Sequence, residues 1–238
     1  MAGVSRLQYT PEIKIVRLMC TGRLDPALVS KAFKGGIDGI LVVGCYFGDC
    51  HYITGNHQAK ARIDMTRRLF RFIGLNQERL SFRQCSSGEA SVFVELVSEF
   101  DEKIRDLGPL GGDGDQVKAP GIFQKLKAAE AVLAGEKIRW VIGKRTPFLE
   151  TGNMYGEIFT EHEFNRAIDM IIVEEMEVQE ILMRLKQTAS SVKDLAADLA
   201  IPPARVFRYI TALKRKGMVA LSKVAGRSPI FQMTDQEV

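Results

Sequence analysis

Four cysteines are the residues with the clearest capacity for chemistry, and all of them lie within the first 85 positions of the 238-residue chain. Cys45 and Cys50 form a C-x4-C pair, whereas Cys20 and Cys85 stand alone. Cysteines clustered in a chain of this size favour metal or redox chemistry over a disulfide framework, because thiolates are soft metal ligands and cytoplasmic thiols stay reduced. The alternative is that they are buried small hydrophobic residues, as free cysteines often are.

Three of these cysteines each follow a predicted β-strand. The predicted strands are Ile13–Leu18 and Gly39–Val43, which are rich in β-branched and apolar residues, and Leu80–Gln84. They end just before Cys20, Cys45 and Cys85. The carboxyl ends of parallel strands meet at one edge of a sheet, where open α/β sheets bind their ligands. The pattern therefore predicts a metal site at that edge.

The predicted strands alternate with helices, which indicates an α/β fold with an open parallel sheet and flanking helices. Apolar periodicity predicts helices at Asp25–Phe33, at about Gln58–Ile73, and in a segment that ends near Leu107. The glycine- and aspartate-rich stretch Gly108–Gln116 then predicts a linker. We expect an α/β domain over residues 1–107, a linker and connecting segment over 108–175, and a third module over 176–238.

The connecting segment carries fewer signals. Phe123–Leu133 has helical periodicity, and Ile138–Ile142 predicts a short strand around Trp140. Thr160 and Glu163 have the spacing of a capping box, in which each side chain satisfies a free backbone N–H of the other residue. They predict the start of a long helix that reaches about Lys186.

The C-terminal module has the element order of a winged helix-turn-helix domain. The predicted elements are helices at Val178–Lys186, Ser191–Leu199 and Ala204–Lys216, followed by wing strands at Met218–Val224 and Pro229–Met233. Ser191 and Asp194 form a second capping box, and Gly217 ends the third helix. In such domains the third helix enters the major groove of DNA.

Basic charge is concentrated in this module. From Glu177 onward the chain has ten basic and six acidic residues, a net charge of +4, and the preceding 176 residues are neutral in sum. The candidate nucleic-acid or docking residues are Arg205, Arg208, Lys214, Arg215 and Lys216. DNA binding is one interpretation. The others are solvated charges that complement the helix dipole, and a platform that docks protein.

Composition narrows the protein class. Hydrophobic residues make up 46% and charged residues 26%, as in ordinary globular proteins, and a net charge of +4 does not by itself indicate nucleic-acid binding. No apolar run approaches the roughly 18–20 residues of a transmembrane helix, and the first residues lack the apolar core of a signal peptide. We therefore expect a cytoplasmic protein without membrane attachment.

Several stretches in the first half of the chain form a recognisable pattern: Met19–Arg23, the G-C-x4-C-H-Y block at Gly44–Tyr52, Gly55-Asn56 and Ala2–Tyr9. Together they resemble the delta subunit of methyl-viologen-reducing hydrogenase. The resemblance covers roughly residues 2–107, and the G-C-x4-C-H-Y block is its specific part.

This resemblance implies an iron–sulfur electron-transfer subunit with a [2Fe–2S] cluster. Its implied ligands are Cys20, Cys45 and Cys50, and Arg23 is implied near the cluster, where a cation tunes potential. The implied partners are a hydrogenase or formate dehydrogenase as electron donor and a heterodisulfide-reductase-like flavoprotein as acceptor. An ordinary loop ion pair is the alternative role for Arg23.

The chain departs from the family pattern at its N-terminus. It begins inside what would be the family's first helix, so we expect an N-terminal truncation in which the first strand and its cysteines are missing. Three cysteines fall one short of the four thiolates that a [2Fe–2S] cluster takes, so the cluster is expected to be incomplete or absent unless another ligand is recruited. The candidates are Cys85 and His51, and both also have ordinary structural interpretations.

Three functions stay open. The first is electron transfer within a hydrogenase and heterodisulfide reductase complex, and the second is a redox-responsive DNA-binding regulator. The third is an assembly adaptor without a working cluster. No nucleophile–base pair, P-loop or dinucleotide fingerprint is present, so we expect a non-catalytic component rather than an enzyme acting alone.

Overall fold

The computed structural model describes residues 7–234, and it combines a short parallel sheet with many helices. The family resemblance includes the stretch Ala2–Tyr9, and residues 2–6 of that stretch lie outside the described residues. The chain divides into two compact units, Met1–Ile172 and Val173–Val238. No helix within residues 7–234 has the length and apolar character needed to cross a bilayer.

The first unit contains two strands and most of the helices. Its elements are α1 (Pro26–Lys34), β1 (Ile40–Gly44), α2 (Gly55–Ile73), β2 (Leu80–Gln84), α3 (Ala90–Leu107), α4 (Gly121–Ala134), α5 (Glu136–Gly143) and the first part of α6 (Glu161–Gln187). Strands β1 and β2 pair in parallel, with Ile40 opposite Leu80 and Gly44 opposite Gln84. The strands predicted at Gly39–Val43 and Leu80–Gln84 are thus confirmed.

The strand predicted at Ile13–Leu18 is wrong. This segment forms neither a strand nor a backbone ladder with any described residue, and Ile15 and Val16 are 59% and 80% exposed. β-branched residues favour an extended backbone. A strand also needs a neighbouring strand whose backbone forms hydrogen bonds with its N–H and C=O groups. That pairing is decided by tertiary structure, and here β1 pairs with β2 alone among the described strands.

The strand predicted at Ile138–Ile142 is also wrong, because these residues form helix α5. The buried residues Ile138, Val141 and Ile142 are spaced i, i+3 and i+4, and Trp140 lies on the opposite face with 54% exposure. That spacing is the period of a helix with one buried face. β-branched content favoured a strand, but burial of the helical face decides the outcome.

The core of the first unit lies among helices α1, α2 and α4. Phe33 of α1 meets Phe70 of α2 edge to face at 5.1 Å between ring centroids, and neither side chain is exposed. The Ser30 hydroxyl donates to the Leu126 carbonyl of α4 at 3.0 Å. Burial of each large side chain stabilises the fold by roughly 1.5–3 kcal/mol. Helix α4, from the segment predicted to connect the domains, thus packs into the first unit.

Arg79 fastens the glycine-rich stretch Gly108–Gln116 to this unit. Its guanidinium has no exposed surface and pairs with Asp115 at 3.0 Å. The remaining donors reach the carbonyl oxygens of Asp38, Leu107, Gly108 and Pro109 at 2.9–3.3 Å. A buried arginine is tolerated only when its donors are satisfied in this way. The predicted linker is therefore a folded turn.

The second unit has its own core. Its elements after α6 are β3 (Ser190–Ser191), α7 (Val192–Leu199), α8 (Pro203–Arg215), β4 (Val219–Ala225) and β5 (Ser228–Met233). The strands form an antiparallel sheet in the order β3-β5-β4. Buried residues of the core include Ile181, Leu195, Val206, Ile210 and Phe231.

Both predicted capping boxes are present. Glu163 accepts from the Thr160 N–H at 2.8 Å while the Thr160 hydroxyl accepts from the Glu163 N–H, and helix α6 begins at the next residue, Glu161. The Ser191 hydroxyl accepts in the same way from the Asp194 N–H at the start of α7. Each cap satisfies backbone donors that the first turn leaves free, which is why these helix starts could be predicted from the sequence.

Candidate metal centre

Three of the four cysteines converge at the carboxyl end of the parallel sheet. Cys45 directly follows β1, and Cys50 lies in the loop that leads from it to α2. Cys20 arrives without a strand, as the N-cap of a short 3-10 helix, Thr21–Arg23. This helix packs against the end of β1, since a Cβ at Gly44 would lie 3.1 Å from the Thr21 hydroxyl oxygen.

Gly55, the first residue of α2, lies where the sulfur atoms of Cys20 and Cys50 approach each other. A Cβ at Gly55 would overlap Cys20 Sγ and would lie 3.4 Å from Cys50 Sγ. The Cys45 thiol interacts directly with that of Cys50 and, through charge, with that of Cys20. The prediction that these three cysteines lie together agrees with this geometry, although Cys20 reaches the site by another route.

Two glycines permit this approach. A Cβ at Gly22 would lie 2.7 Å from the Gly55 carbonyl oxygen, closer than real side-chain atoms approach. The backbone of the Cys20 segment therefore touches the backbone at the start of α2 directly. The prediction from sequence did not assign these glycines a role, and their positions two residues after Cys20 and five after Cys50 were the available signal.

Replacing Gly55 by alanine is expected to loosen this site. Alanine normally favours a helix by about 1 kcal/mol relative to glycine, but here its methyl group would overlap the Cys20 sulfur. Overpacking of this kind costs about 1–3 kcal/mol. We therefore expect Gly55→Ala to lower the free energy of unfolding, measured by denaturant titration through Trp140 fluorescence, and to lose most of the iron bound after anaerobic reconstitution.

The matched control for that substitution is Gly88→Ala, because nothing lies within 4 Å of a Cβ at Gly88. It should change the unfolding free energy by less than about 0.5 kcal/mol and leave the iron content unchanged. Gly55→Ala protein that binds as much iron as the parent would show that close approach of the Cys20 and Gly55 segments is not needed.

Asn56 fixes the loop that carries Cys45. Its side chain is fully buried, and its Nδ2 donates to the Cys45 and Tyr46 carbonyl oxygens at 3.2 and 2.7 Å. Gln84, the last residue of β2, donates a further hydrogen bond to the Cys45 carbonyl at 3.1 Å. These amides hold the backbone from which the Cys45 side chain projects. Sequence reasoning assigned neither residue a role in positioning.

The backbone around Cys50 favours its thiolate. Although burial acts to raise the pKa of Cys50, the backbone N–H groups of Asn56, Tyr52 and Gly55 hydrogen-bond its sulfur and lower the pKa below that of a free thiol. Ile53 has a positive φ of 62°, unusual for a β-branched residue, and it curls the loop that brings these N–H groups together. Burial and the neighbouring Cys50 instead raise the pKa of Cys45. Of Cys45 and Cys50, Cys50 is therefore the thiol more disposed to ionise.

Two arginines face the Cys20 side of the site. Arg23 and Arg62 both line a groove of about 380 Å³ together with Cys20 and Tyr52. The Arg62 guanidinium also donates to the Gly22 carbonyl oxygen, so it braces the turn that follows Cys20. Arg23 was predicted from the family resemblance, and Arg62 was not. Both cations lie where they can offset negative charge on sulfur.

Cys85 and His51 do not join the three cysteines. Cys85 follows β2 as predicted, but its thiol donates to the Ser86 and Glu89 carbonyl oxygens at 3.3 and 3.4 Å, at the start of α3. Burial and the nearby Glu89 raise the pKa of this thiol. His51 is exposed and stacks edge to face on Tyr52 at 5.0 Å between ring centroids. The strand-end pattern alone did not reveal the orientation of the Cys85 side chain.

The three thiols do not enclose a position for a single ion. Among residues 7–234, no group of three or more His, Cys, Asp or Glu side chains is arranged to hold one metal ion. A [2Fe–2S] centre has a different requirement, because it spreads four ligands over two irons. The described residues offer three thiols for that purpose, so the donor chemistry fits and one ligand position remains open.

The basic residues predicted in the second unit lie on α8 and just after it. Arg205 pairs with Glu177 at 2.6 Å, and the Arg208 guanidinium lies over the Tyr209 ring at 5.3 Å. Lys214, Arg215 and Lys216 are exposed at the carboxyl end of the helix, where cations complement the helix dipole. Two of the five side chains are thus engaged within the unit.

Comparison with known proteins identifies the first half of the chain. Residues 1–108 match the family model described as methyl-viologen-reducing hydrogenase, delta subunit. An iron-sulfur subunit of the F420-non-reducing hydrogenase from Archaeoglobus profundus is 41% identical over 109 residues, which cover 46% of this chain and 80% of that protein. The vhc iron-sulfur subunit of the F420-non-reducing hydrogenase from Methanococcus voltae is 40% identical over 108 residues, covering 45% of this chain and 75% of that protein.

A longer relative contains the same stretch. It is one subunit of the ferredoxin/F(420)H(2)-dependent CoB-CoM heterodisulfide reductase from Methanosarcina acetivorans, and it is 39% identical over 123 residues, or 51% of this chain. The chain spans only 16% of that protein. The match over most of the length of the two hydrogenase subunits decides the assignment: this chain belongs to the family of the delta subunit of methyl-viologen-reducing hydrogenase.

Proposed function

We propose that this protein is an iron–sulfur electron-transfer subunit that passes electrons from a hydrogenase or formate dehydrogenase to a heterodisulfide-reductase-like flavoprotein. The observation that carries the proposal is the approach of the Cys20 and Cys50 sulfur atoms at Gly55, with the Cys45 thiol beside that of Cys50. Relatives that are similar over this region are named as iron-sulfur subunits of hydrogenases and as a subunit of heterodisulfide reductase. The proposed iron–sulfur domain comprises residues 1–107.

The proposed cofactor is a [2Fe–2S] cluster held by Cys20, Cys45 and Cys50. When bound, such a cluster accepts and releases a single electron. The backbone N–H groups of Tyr52, Gly55 and Asn56 would stabilise the Cys50 thiolate for this role, and hydrogen bonds to sulfur also adjust the potential. The fourth ligand is proposed to come from outside the three-cysteine group.

The side chains around the site suit a position at a protein interface. Met19 and Tyr52 line the groove beside Cys20, and Met19 and Ile53 are 74% and 82% exposed. Exposed apolar and aromatic side chains grouped beside a functional site are typical of surfaces that bind another protein. A partner that covers them would bring its own redox group close to the cysteines.

The second unit is proposed to be a winged helix that docks protein. Helices α7 and α8 followed by the β4–β5 hairpin support that assignment. The DNA-binding alternative gains no support from these side chains, because Arg205 pairs with Glu177 and the Arg208 guanidinium lies over the Tyr209 ring.

The test is reduction of the flavin of the heterodisulfide reductase flavoprotein under anaerobic conditions. The full chain is first reconstituted with iron and sulfide and analysed for both. Hydrogenase with hydrogen, or formate dehydrogenase with formate, then serves as the electron source. With at least one of the two electron sources, we expect the flavin to be reduced only when the reconstituted chain is present. The proposal would be refuted if, for each of the two electron sources, the flavin were reduced equally fast without the chain.

A further inference from the structure

A second concave site lies on the first unit, and its chemistry differs from that of the cysteine site. It is a groove of about 520 Å³ along α2, within the 300–1,000 Å³ typical of small-molecule sites. Its floor is apolar, formed by the buried side chains of Met65, Ile142, Phe164 and Ile168. A groove of this volume with apolar side chains at its base has room for a ligand with an organic part.

The rim of the groove is rich in cations. The cationic side chains that line it are Lys60, Arg67, Arg68, Arg71 and Arg145, and the acidic ones are Asp64 and Glu161. Lys60 pairs with Asp64, and Arg145 pairs with Glu161. The residues that line the groove therefore carry three more positive than negative charges. This count leaves out acidic residues that lie outside the lining but contact its arginines.

Two of the three remaining arginines are held by carboxylates outside the lining. Arg67 donates to Glu78 at 2.7 Å and to the Gln77 carbonyl, and Arg68 donates through Nη1 to Asp169 at 3.2 Å. These contacts fix the two guanidinium groups and leave Nη1 of Arg67 and Nη2 of Arg68 without a protein acceptor in residues 7–234. Pre-positioned guanidinium donors lose little freedom when an anion binds.

Arg71 differs from the others. It lies one helical turn from Arg67 and Arg68 on α2, and its side chain makes no hydrogen bond or ion pair with residues 7–234. It is thus a whole positive charge in the lining that no carboxylate of the described residues offsets. Phe47 and His57, whose rings stack at 4.4 Å between centroids, add an aromatic wall to the same groove.

We propose that this groove binds a small phosphate ester of the nucleotide class, with its phosphates at Arg71 and the arginines beside it and its ring against the apolar floor and aromatic wall. Guanidinium groups match phosphate oxygens in planar, forked geometry, which favours phosphate over a diffuse acidic surface. The proposal does not depend on the cysteines, because none of them lines the groove.

The test is calorimetric titration of the full chain at about 0.15 M ionic strength, where long-range attraction between exposed charges is screened. The probes are ADP, pyrophosphate and adenosine. We expect ADP to bind more tightly than either of the others, because only ADP uses both the cations and the apolar floor. No ADP binding, or pyrophosphate binding as tight as ADP binding, would overturn the proposal.

The decisive variant is Arg71→Gln, with Arg166→Gln as its matched control, since Arg166 is an exposed arginine of the same unit outside the groove. Arg71→Gln should weaken ADP binding by about tenfold or more, as expected for loss of a charged hydrogen-bond donor. Arg166→Gln should stay within about twofold. Thermal melting monitored through Trp140 checks that both variants fold; equal losses in the two variants would contradict the assignment.

Discussion

Cys50→Ala protein is expected to emerge from anaerobic reconstitution without the visible absorption and without the stoichiometric iron and sulfide of the parent chain. Cys20→Ala and Cys45→Ala should give the same result, because the Cys20 and Cys50 sulfur atoms meet at Gly55 with the Cys45 thiol beside Cys50, and each would be a ligand of the proposed cluster. Loss of one of the three proposed thiolates leaves at most three of the four ligands that a [2Fe–2S] cluster takes.

Cys85→Ala is the control for these variants. The Cys85 thiol is hydrogen-bonded to carbonyl oxygens at the start of α3, so its removal should leave iron, sulfide and the visible spectrum unchanged. If Cys85→Ala loses the cluster while Cys20→Ala keeps it, the ligand set is not the one proposed. If all four variants keep the parent spectrum, the absorbing iron is bound elsewhere.

Arg79→Met is expected to destabilise the first unit by about 3–5 kcal/mol, the range for removing one partner of a buried ion pair. The substitution would leave Asp115 buried without its counter-charge and would remove the donors to four backbone carbonyl oxygens. The turn at Gly108–Gln116 would lose its attachment to the sheet. Unfolding in denaturant, followed by the fluorescence of Trp140, measures the loss in the unit that contains both residues.

Arg105→Met tests whether this effect is specific to burial. Arg105 also forms ion pairs, with Glu12 and Asp101, but its side chain is 58% exposed. Exposed pairs contribute about 0–1 kcal/mol, so this variant should lower the unfolding free energy by no more than that. Similar losses for Arg79→Met and Arg105→Met would show that the buried network does not govern the stability of the unit.

The features predictable from the sequence depend on near neighbours in the chain. The capping boxes at Thr160 and Ser191 were confirmed because a cap needs only two residues three positions apart. Strand β1 was predictable from an apolar run that ends at a glycine. The C-x4-C spacing likewise placed Cys45 and Cys50 on one loop, since no distant contact is needed to bring five-residue neighbours together.

Tertiary structure decided the features that join distant segments. Ile13–Leu18 has the composition of a strand but no pairing partner among the described residues, and Cys20 joins the site through contact of Gly22 with Gly55. Arg79 gathers four carbonyl oxygens and one carboxylate from segments about 30–40 residues away, which no local pattern predicts. The sequence by itself thus determined which residues are candidates to bind iron and where most of the helices lie, because those properties are local. Helix α5, which was predicted as a strand, is the exception. Which thiols meet was decided by packing, because a backbone contact between two glycines leaves no periodic signal in the chain.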